Sequence, residues 1–146
     1  MATNDIHVAV SPERVFTVLA DPGAYDDWVV GARRIRTADP QWPAPGARIH
    51  HQVGVGPLRL NDHTEVLEAS APNRLVLRAH ARPLGVARVT MAVAPEPGGA
   101  RITMVEEAGG RLTRLVWNPI LDHLVHVRNV EALRRLKELV EAPSAS

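Results

Sequence analysis

The fold is decided by the last long segment of the chain, residues 117–141, which reads WNPILDHLVHVRNVEALRRLKELVE. Asn118 and Pro119 are typical of a helix start, because an asparagine side chain can cap free N–H groups and proline gives up only an unpaired one. At about 100° per residue, one face collects the apolar side chains Leu121, Val125, Ala132, Leu136 and Leu139, with Leu133 and Val140 at its edge. The segment therefore predicts an amphipathic helix that needs an apolar partner surface.

The preceding residues can supply that surface, because they alternate apolar and polar side chains in short runs separated by turn residues, a pattern typical of antiparallel strands. The predicted strands are residues 5–10, 33–38, 48–53, 58–68, 74–81, 86–94 and 101–107. Ser11-Pro12 and Asp21-Pro22 predict two short helices after the first strand, the second reaching about Trp28 and ending at Gly31. This order predicts an α+β, helix-grip fold, in which an antiparallel sheet of six to seven strands wraps around the long C-terminal helix.

The composition narrows the possible functions. We expect a single domain over residues 1–141 and a flexible tail over residues 142–146. With 17 basic and 16 acidic residues, the net charge of +1 argues against a nucleic-acid-binding surface. The absence of cysteine excludes disulfides, thiolate metal sites and cysteine nucleophiles. We see no signal-peptide pattern and no apolar run of ~20 residues, so we expect a cytoplasmic protein without membrane insertion.

The remaining nucleophiles offer little for covalent catalysis. Ser11 is a helix cap, Ser70 lies in a turn, and Lys137 falls on the polar side of the last helix. The sequence therefore offers no candidate nucleophile for a serine hydrolase or a Schiff-base enzyme. Any catalysis must be acid–base or electrostatic. We expect no cofactor.

Several short motifs connect the chain to a known superfamily. They are Ser11-Pro12-Glu13-Arg14-Val15-Phe16, Leu19-Ala20-Asp21-Pro22, Glu65-Val66-Leu67-Glu68, Pro72-Asn73-Arg74-Leu75, and the closing stretch from Asn129 to Leu136 with Lys137. On these residues the chain resembles the START-like superfamily, also called SRPBCC, which includes polyketide cyclases, lipid-transfer domains and pollen-allergen-type proteins. Three further stretches resemble an uncharacterised bacterial branch of it, namely Trp28-Val29-Val30-Gly31-Ala32, Trp42-Pro43-Ala44-Pro45-Gly46 and His50-His51. The resemblance covers nearly the whole chain and implies a cavity for a hydrophobic small molecule, but it carries over no catalytic residue.

Polar residues interrupt faces that are otherwise apolar. Side chains alternate along a strand and recur along a helix, which places five polar residues inward, namely His51, Asp62, Thr64, Glu106 and Arg128. We expect His51 beside Asp62 across a hairpin, which would favour a protonated imidazole, and Glu106 beside Arg128 between sheet and helix. Two interpretations stay open. The pairs are structural or lie at the wet rim of the sheet, or they line a cavity mouth, with His51, Asp62 or Glu106 as candidate catalytic acid or base.

Aromatic and apolar residues complete the predicted ligand site. Tyr25, Trp28 and Trp117 lie where the short helices and the long helix approach the open end of the sheet, although they also serve as ordinary core residues. Trp42 either covers the cavity or anchors its own loop. The expected ligand-binding residues are Tyr25, Trp28, His51, Thr64, Met91, Met104, Glu106, Trp117, Leu121, Val125 and Arg128.

The histidines do not predict a metal site. His123 and His126 are three residues apart on a helix, which is a possible chelating pair, but they point away from the apolar stripe and have no carboxylate at a suitable spacing. His50 and His51 point to opposite sides of a strand and cannot chelate together.

Three functions remain. The first is binding of a hydrophobic or aromatic small molecule between sheet and helix. The second is a cyclase or dehydratase that holds a flexible ketone chain and moves protons with His51, Asp62 or Glu106. The third is an interaction protein, such as a homodimer formed through a sheet edge or the polar helix face.

Overall fold

The computed structural model describes residues 2–29, 32–55, 58–81, 85–108 and 119–142, with the backbone alone at residues 26, 32–36, 51–55, 58–61, 81, 85, 108, 121 and 122. Its strands are β1 (Ala2–Val8), β2 (Ala32–Ala38), β3 (Arg48–Val55), β4 (Leu58–Ser70), β5 (Arg74–Ala81), β6 (Gly85–Glu96) and β7 (Gly99–Ala108). Its α-helices are α1 (Pro12–Leu19), α2 (Tyr25–Trp28) and α3 (Pro119–Glu141), and a 3₁₀ turn (Pro22–Ala24) precedes α2. None of the described helices is long and apolar enough to cross a membrane.

The seven strands form one antiparallel sheet in the order β1-β7-β6-β5-β4-β3-β2, which confirms the predicted α+β helix-grip architecture. The first strand lies at residues 2–8 rather than 5–10, because β1 pairs with β7 from Ala2 opposite Glu106 to Val8 opposite Ala100. The segment with α1 and α2 then carries the chain from one edge of the sheet to the other, where β2 begins.

The short helices begin where the sequence predicts. The Ser11 hydroxyl accepts a hydrogen bond from the backbone N–H of Arg14, and Pro12 occupies the start of α1. Asp21 caps the 3₁₀ turn in the same manner, through its carboxylate and the N–H of Gly23. Asn118 and Gly31, the other predicted boundary residues, lie outside the described residues.

Helix α3 packs mainly against β1 and also contacts α2, α1 and β7. Its buried face consists of Val125, Asn129, Ala132, Leu133, Leu136 and Val140. This face is turned by about 45° from the predicted one, so that Leu133 and Val140 lie within it and Leu139 is only half-buried. The apolar pattern does not predict this orientation, because the residue at the centre of the buried face, Asn129, is polar.

We expect Leu136→Ala to lower the free energy of unfolding by about 2–5 kcal/mol, because Leu136 is fully buried and its loss leaves a cavity under α3. Leu124→Ala is the matched control in the same helix, since Leu124 is 59% exposed, and it should change stability by less than about 1 kcal/mol. Urea denaturation monitored by circular dichroism measures both. Equal losses at the two positions would contradict the docked position of α3.

Candidate functional site

Tyr25 brings a polar atom into the interior. The 3₁₀ turn and α2 place its ring against Trp28 and Trp42, with edge-to-face contacts at centroid distances of 5.8 and 6.4 Å. Its hydroxyl lies 2.9 Å from the Thr64 hydroxyl oxygen of β4, and both groups are buried. Burial raises the pKa of the phenol to about 12; hydrogen bonding with Thr64 opposes this rise. Tyr25 is therefore a neutral hydrogen-bond donor or acceptor at physiological pH.

Glu106 and Arg128 meet between the sheet and α3, as the sequence predicts. Both carboxylate oxygens of Glu106 accept hydrogen bonds from Nη2 of Arg128. The Glu106 side chain is only 5% exposed, whereas that of Arg128 is 35% exposed. The Arg128 guanidinium of α3 thus contacts the Glu106 carboxylate, which is buried in the sheet, while part of the Arg128 side chain stays in contact with water.

These two pairs form one group of interacting side chains, here called the polar cluster: Tyr25, Thr64, Glu106 and Arg128. The charges of Arg128 and Glu106 act on the Tyr25 phenol, Arg128 lowering its pKa and Glu106 raising it, which connects the two pairs electrostatically. The cluster combines a neutral phenol, a hydroxyl, a guanidinium and a carboxylate, so it can both donate and accept hydrogen bonds.

Small side chains lie beside the polar cluster on the inner face of the sheet. Thr64 pairs with Ala79 of β5, and Ala79 pairs with Ala87 of β6, so that the three residues form one row across neighbouring strands. The next inward row contains larger residues, because Val66 pairs with Leu77 and Leu77 with Val89. Ala79 and Ala87 are only half-buried although they face inward. The part of the chain that the structure describes therefore leaves these two inward residues partly exposed.

Asn129 is a buried polar residue that the sequence reasoning missed. It is fully buried at the centre of the α3 face, and its amide oxygen and nitrogen have no hydrogen-bond partner among the described residues. Asn4 of β1 donates to Nδ1 of His126 over 3.0 Å, but its own buried oxygen is likewise left without a partner there. Leaving buried polar atoms unpaired costs free energy, so such atoms in a folded protein call for an explanation. Its spacing of four residues from both Val125 and Leu133 is the signal that places Asn129 on the buried face.

The other predicted site residues are only partly brought together. His51 and Asp62 are directly opposite each other in β3 and β4, as expected, and the Asp62 side chain is buried, but the His51 side chain is outside the described part of the structure. Trp117 and the side chain of Leu121 are outside it too. The described remainder is buried, namely Trp28, Met91, Met104 and Val125.

Trp42 anchors its loop. Its indole N–H points to the carbonyl of Leu19 at the end of α1, over 3.5 Å, and its ring is 8% exposed. Together with the edge-to-face contact to Tyr25, this ties the loop between β2 and β3 to both short helices. Trp42 thereby helps to hold Tyr25 in place.

Metal-ligating side chains also come together, and of these the sequence reasoning selected only Asp62, not as a metal ligand. Asp62, His63 and His80 each place one ligand atom within 4.8 Å of the others. The rings of His63 and His80 are 4.2 Å apart, and the ring of His50 is 6.1 Å from that of His63. Burial and the neighbouring His80 lower the pKa of His63.

The titration of Tyr25 is directly measurable, since the chain has one tyrosine. We expect tyrosinate absorbance with a midpoint near pH 12, against about 10 for an exposed phenol. Above pH 10 the unfolded chain binds fewer protons than the native one, so stability should fall by up to about 1.4 kcal/mol per pH unit until about pH 12. Thr64→Val should raise the midpoint further. A native midpoint near 10 would contradict the buried phenol.

The ion pair predicts asymmetric effects of mutation. Arg128→Met should lower the free energy of unfolding by about 3–5 kcal/mol, because it leaves the Glu106 carboxylate buried without its partner. Glu106→Gln should cost less, under about 2 kcal/mol, because the remaining guanidinium can turn towards water. Arg134→Met, which breaks ion pairs on the exposed side of α3, should have little effect. Urea denaturation would refute this ranking if Arg128→Met and Arg134→Met proved equally mild.

Comparison with known proteins extends these observations. A family model described as "Polyketide cyclase / dehydrase and lipid transport" matches residues 2–141. No curated protein sequence matches the chain.

Solved structures share the fold over nearly the full length. A crystal structure of a Rhodobacter sphaeroides protein has a TM-score of 0.73 at 21% identity, covering 97% of this chain and 92% of the other. A Chromobacterium violaceum protein has a TM-score of 0.72 at 18% identity, with 97% of each chain covered. An AHSA1-like protein from Aeromonas hydrophila has a TM-score of 0.66 at 16% identity, covering 99% of this chain and 97% of the other. At such identities the likeness concerns the fold alone.

Proposed function

The chain belongs to the polyketide cyclase/dehydrase and lipid transport family, and we propose that it binds a hydrophobic or aromatic small molecule with a polar group, between the inner face of the sheet and α3. The observation that carries this proposal is the fully buried Asn129, whose amide atoms have no hydrogen-bond partner among the described residues. A polar group on a bound molecule would supply the missing partners.

The neighbouring residues suggest how such a molecule is held. Its apolar body would lie against Ala79 and Ala87, which are half-buried and have small side chains. A carbonyl, hydroxyl or acidic group would turn to the polar cluster, where the Tyr25 hydroxyl and the Arg128 guanidinium are donors. A mostly apolar wall with a few fixed polar groups is typical of small-molecule sites.

A second candidate is an enzyme of the cyclase or dehydratase kind. It is favoured by the Arg128 guanidinium, which pairs with the buried Glu106 carboxylate, and by the neutral Tyr25 phenol, because donors of this kind can stabilise the oxygen of a ketone as it gains negative charge. His51, opposite Asp62, remains a candidate proton carrier in this mechanism. Turnover of a bound polyketone that is lost in Glu106→Gln would favour the enzyme, whereas tight binding without turnover would favour the binding protein.

The test of binding uses 1-anilinonaphthalene-8-sulfonate, a fluorescent probe with an aromatic body and one anionic group. We expect saturable binding of about one probe per chain, weakened at least tenfold in Ala87→Leu, whose larger side chain would occupy the inner face beside Ala79. Ala94→Leu is the matched control, because Ala94 lies in the same strand but is exposed.

The variants also separate this site from other apolar surfaces. Ile120, Leu124, Val127 and Val130 of α3 are exposed and offer a rival surface for the probe. Unchanged binding in Ala87→Leu, or an equal loss in Ala94→Leu, would refute the proposed position. Asn129→Leu should reduce the affinity for the probe while preserving or raising stability, since it removes two unpaired polar atoms.

A further inference from the structure

The outer face of the sheet carries a row of imidazoles that the proposed function does not use. Alternation along β4 directs Thr64 and Asp62 inward and His63 to the opposite face, although the Asp62 carboxylate stays within hydrogen-bond distance of the His63 backbone N–H. His50 of β3 is directly opposite His63, and on the other side the His63 ring lies 4.2 Å from that of His80 in β5. Three neighbouring strands thus each contribute one histidine to the same patch.

From this geometry we propose that Asp62, His63 and His80 form a binding site for a divalent transition-metal ion. One ligand atom from each residue lies within 4.8 Å of the others, and the Asp62 carboxylate is 3.9 Å from Nδ1 of His63. Ligands of tetrahedral zinc at ~2.1 Å are ~3.4 Å apart, so side-chain adjustments of about 1 Å would complete the site. His50 is placed to give a fourth ligand, with its ring 6.1 Å from that of His63.

A second observation points to a ligand at this place. Nδ1 of His80 is buried and has no hydrogen-bond partner among the described residues. In proteins a buried ring nitrogen is normally bonded to a neighbouring group or to a metal. Asp62, by contrast, is already oriented, because its carboxylate accepts a hydrogen bond of 3.0 Å from the backbone N–H of His63. The fold therefore holds the Asp62 carboxylate in position and leaves Nδ1 of His80 without a hydrogen bond to the described residues.

The ligand types determine which ions fit. Two imidazole nitrogens and one carboxylate oxygen suit Zn²⁺, Co²⁺, Ni²⁺ or Cu²⁺ rather than Ca²⁺ or Mg²⁺, which prefer oxygen ligands only. Arg48 is a positively charged neighbour of His63. Its charge is partly offset, because Arg48 forms an ion pair with Glu65 over 3.5 Å. The side chain of His63 is 28% exposed, so an ion can enter from solvent. With three protein ligands, one coordination position stays open for water or for His50.

The test is titration of the chain, prepared without a polyhistidine tag, with zinc chloride in a calorimeter and with Co²⁺ in a spectrophotometer. We expect about one ion per chain at micromolar concentrations and a Co²⁺ spectrum of low coordination number. His63→Ala and His80→Ala should each weaken zinc binding at least tenfold. His123→Ala is the matched control, because His123 is exposed on α3 and should be dispensable.

Further variants keep the outcome decisive. His80→Gln preserves a polar side chain of similar size, and it should lose the Co²⁺ spectrum while retaining the native circular dichroism. Ala87→Leu, which alters the inner face, should leave zinc affinity unchanged, so this site and the proposed ligand site can fail separately. Absence of binding at micromolar zinc would overturn the proposal. Full binding in the His63→Ala/His80→Ala double variant, or its loss in His123→Ala, would overturn it equally.

Discussion

The docking of α3 on β1 holds the Arg128 guanidinium over the Glu106 carboxylate, and the arrangement of the interior depends on this contact. A carboxylate that is 5% exposed is tolerated in the sheet because a positive group is delivered to it by the helix. The same docking buries Asn129 and brings α3 against α2, which presents the Tyr25 hydroxyl to Thr64. Apolar packing of the helix thus determines which polar groups meet.

The interior of this protein is more polar than stability alone requires. Asn4, Asp62, Thr64, Glu106 and Asn129 are all buried. Buried polar groups that are incompletely bonded cost free energy, and residues of the right volume but without polar atoms would remove that cost. Proteins retain such costs mainly where a site needs them. The atoms of Asn4 and Asn129 that have no partner among the described residues occur on β1 and on α3, the helix that packs mainly against it.

The sequence was sufficient for the architecture and for two contacts of the candidate site, His51 opposite Asp62 and Glu106 with Arg128. Periodicity and capping residues predicted the order of elements, and the short hairpin predicted His51 opposite Asp62. Asn129 was not predicted to be buried, because hydrophobic periodicity selects apolar residues.

The proximity of His63 and His80 was not predicted for a different reason. The pairs Ser70–Arg74 and Glu68–Val76 next to the turn would put His63 opposite Ala81. A bulge between Val66 and Glu68 shifts the register by one residue, and the ladder then continues from Thr64–Ala79 to His63 with His80.

The bulge in β4 therefore links the two faces of the sheet. Because side chains alternate along a strand, a shift of one residue changes the partners of both faces together. It places Thr64 in the row of alanines on the inner face, and it places His63 beside His80 on the outer face. The inner arrangement groups Thr64 with small side chains, and the outer one brings two imidazole rings together. One local irregularity in one strand thus sets the register on which both candidate sites depend.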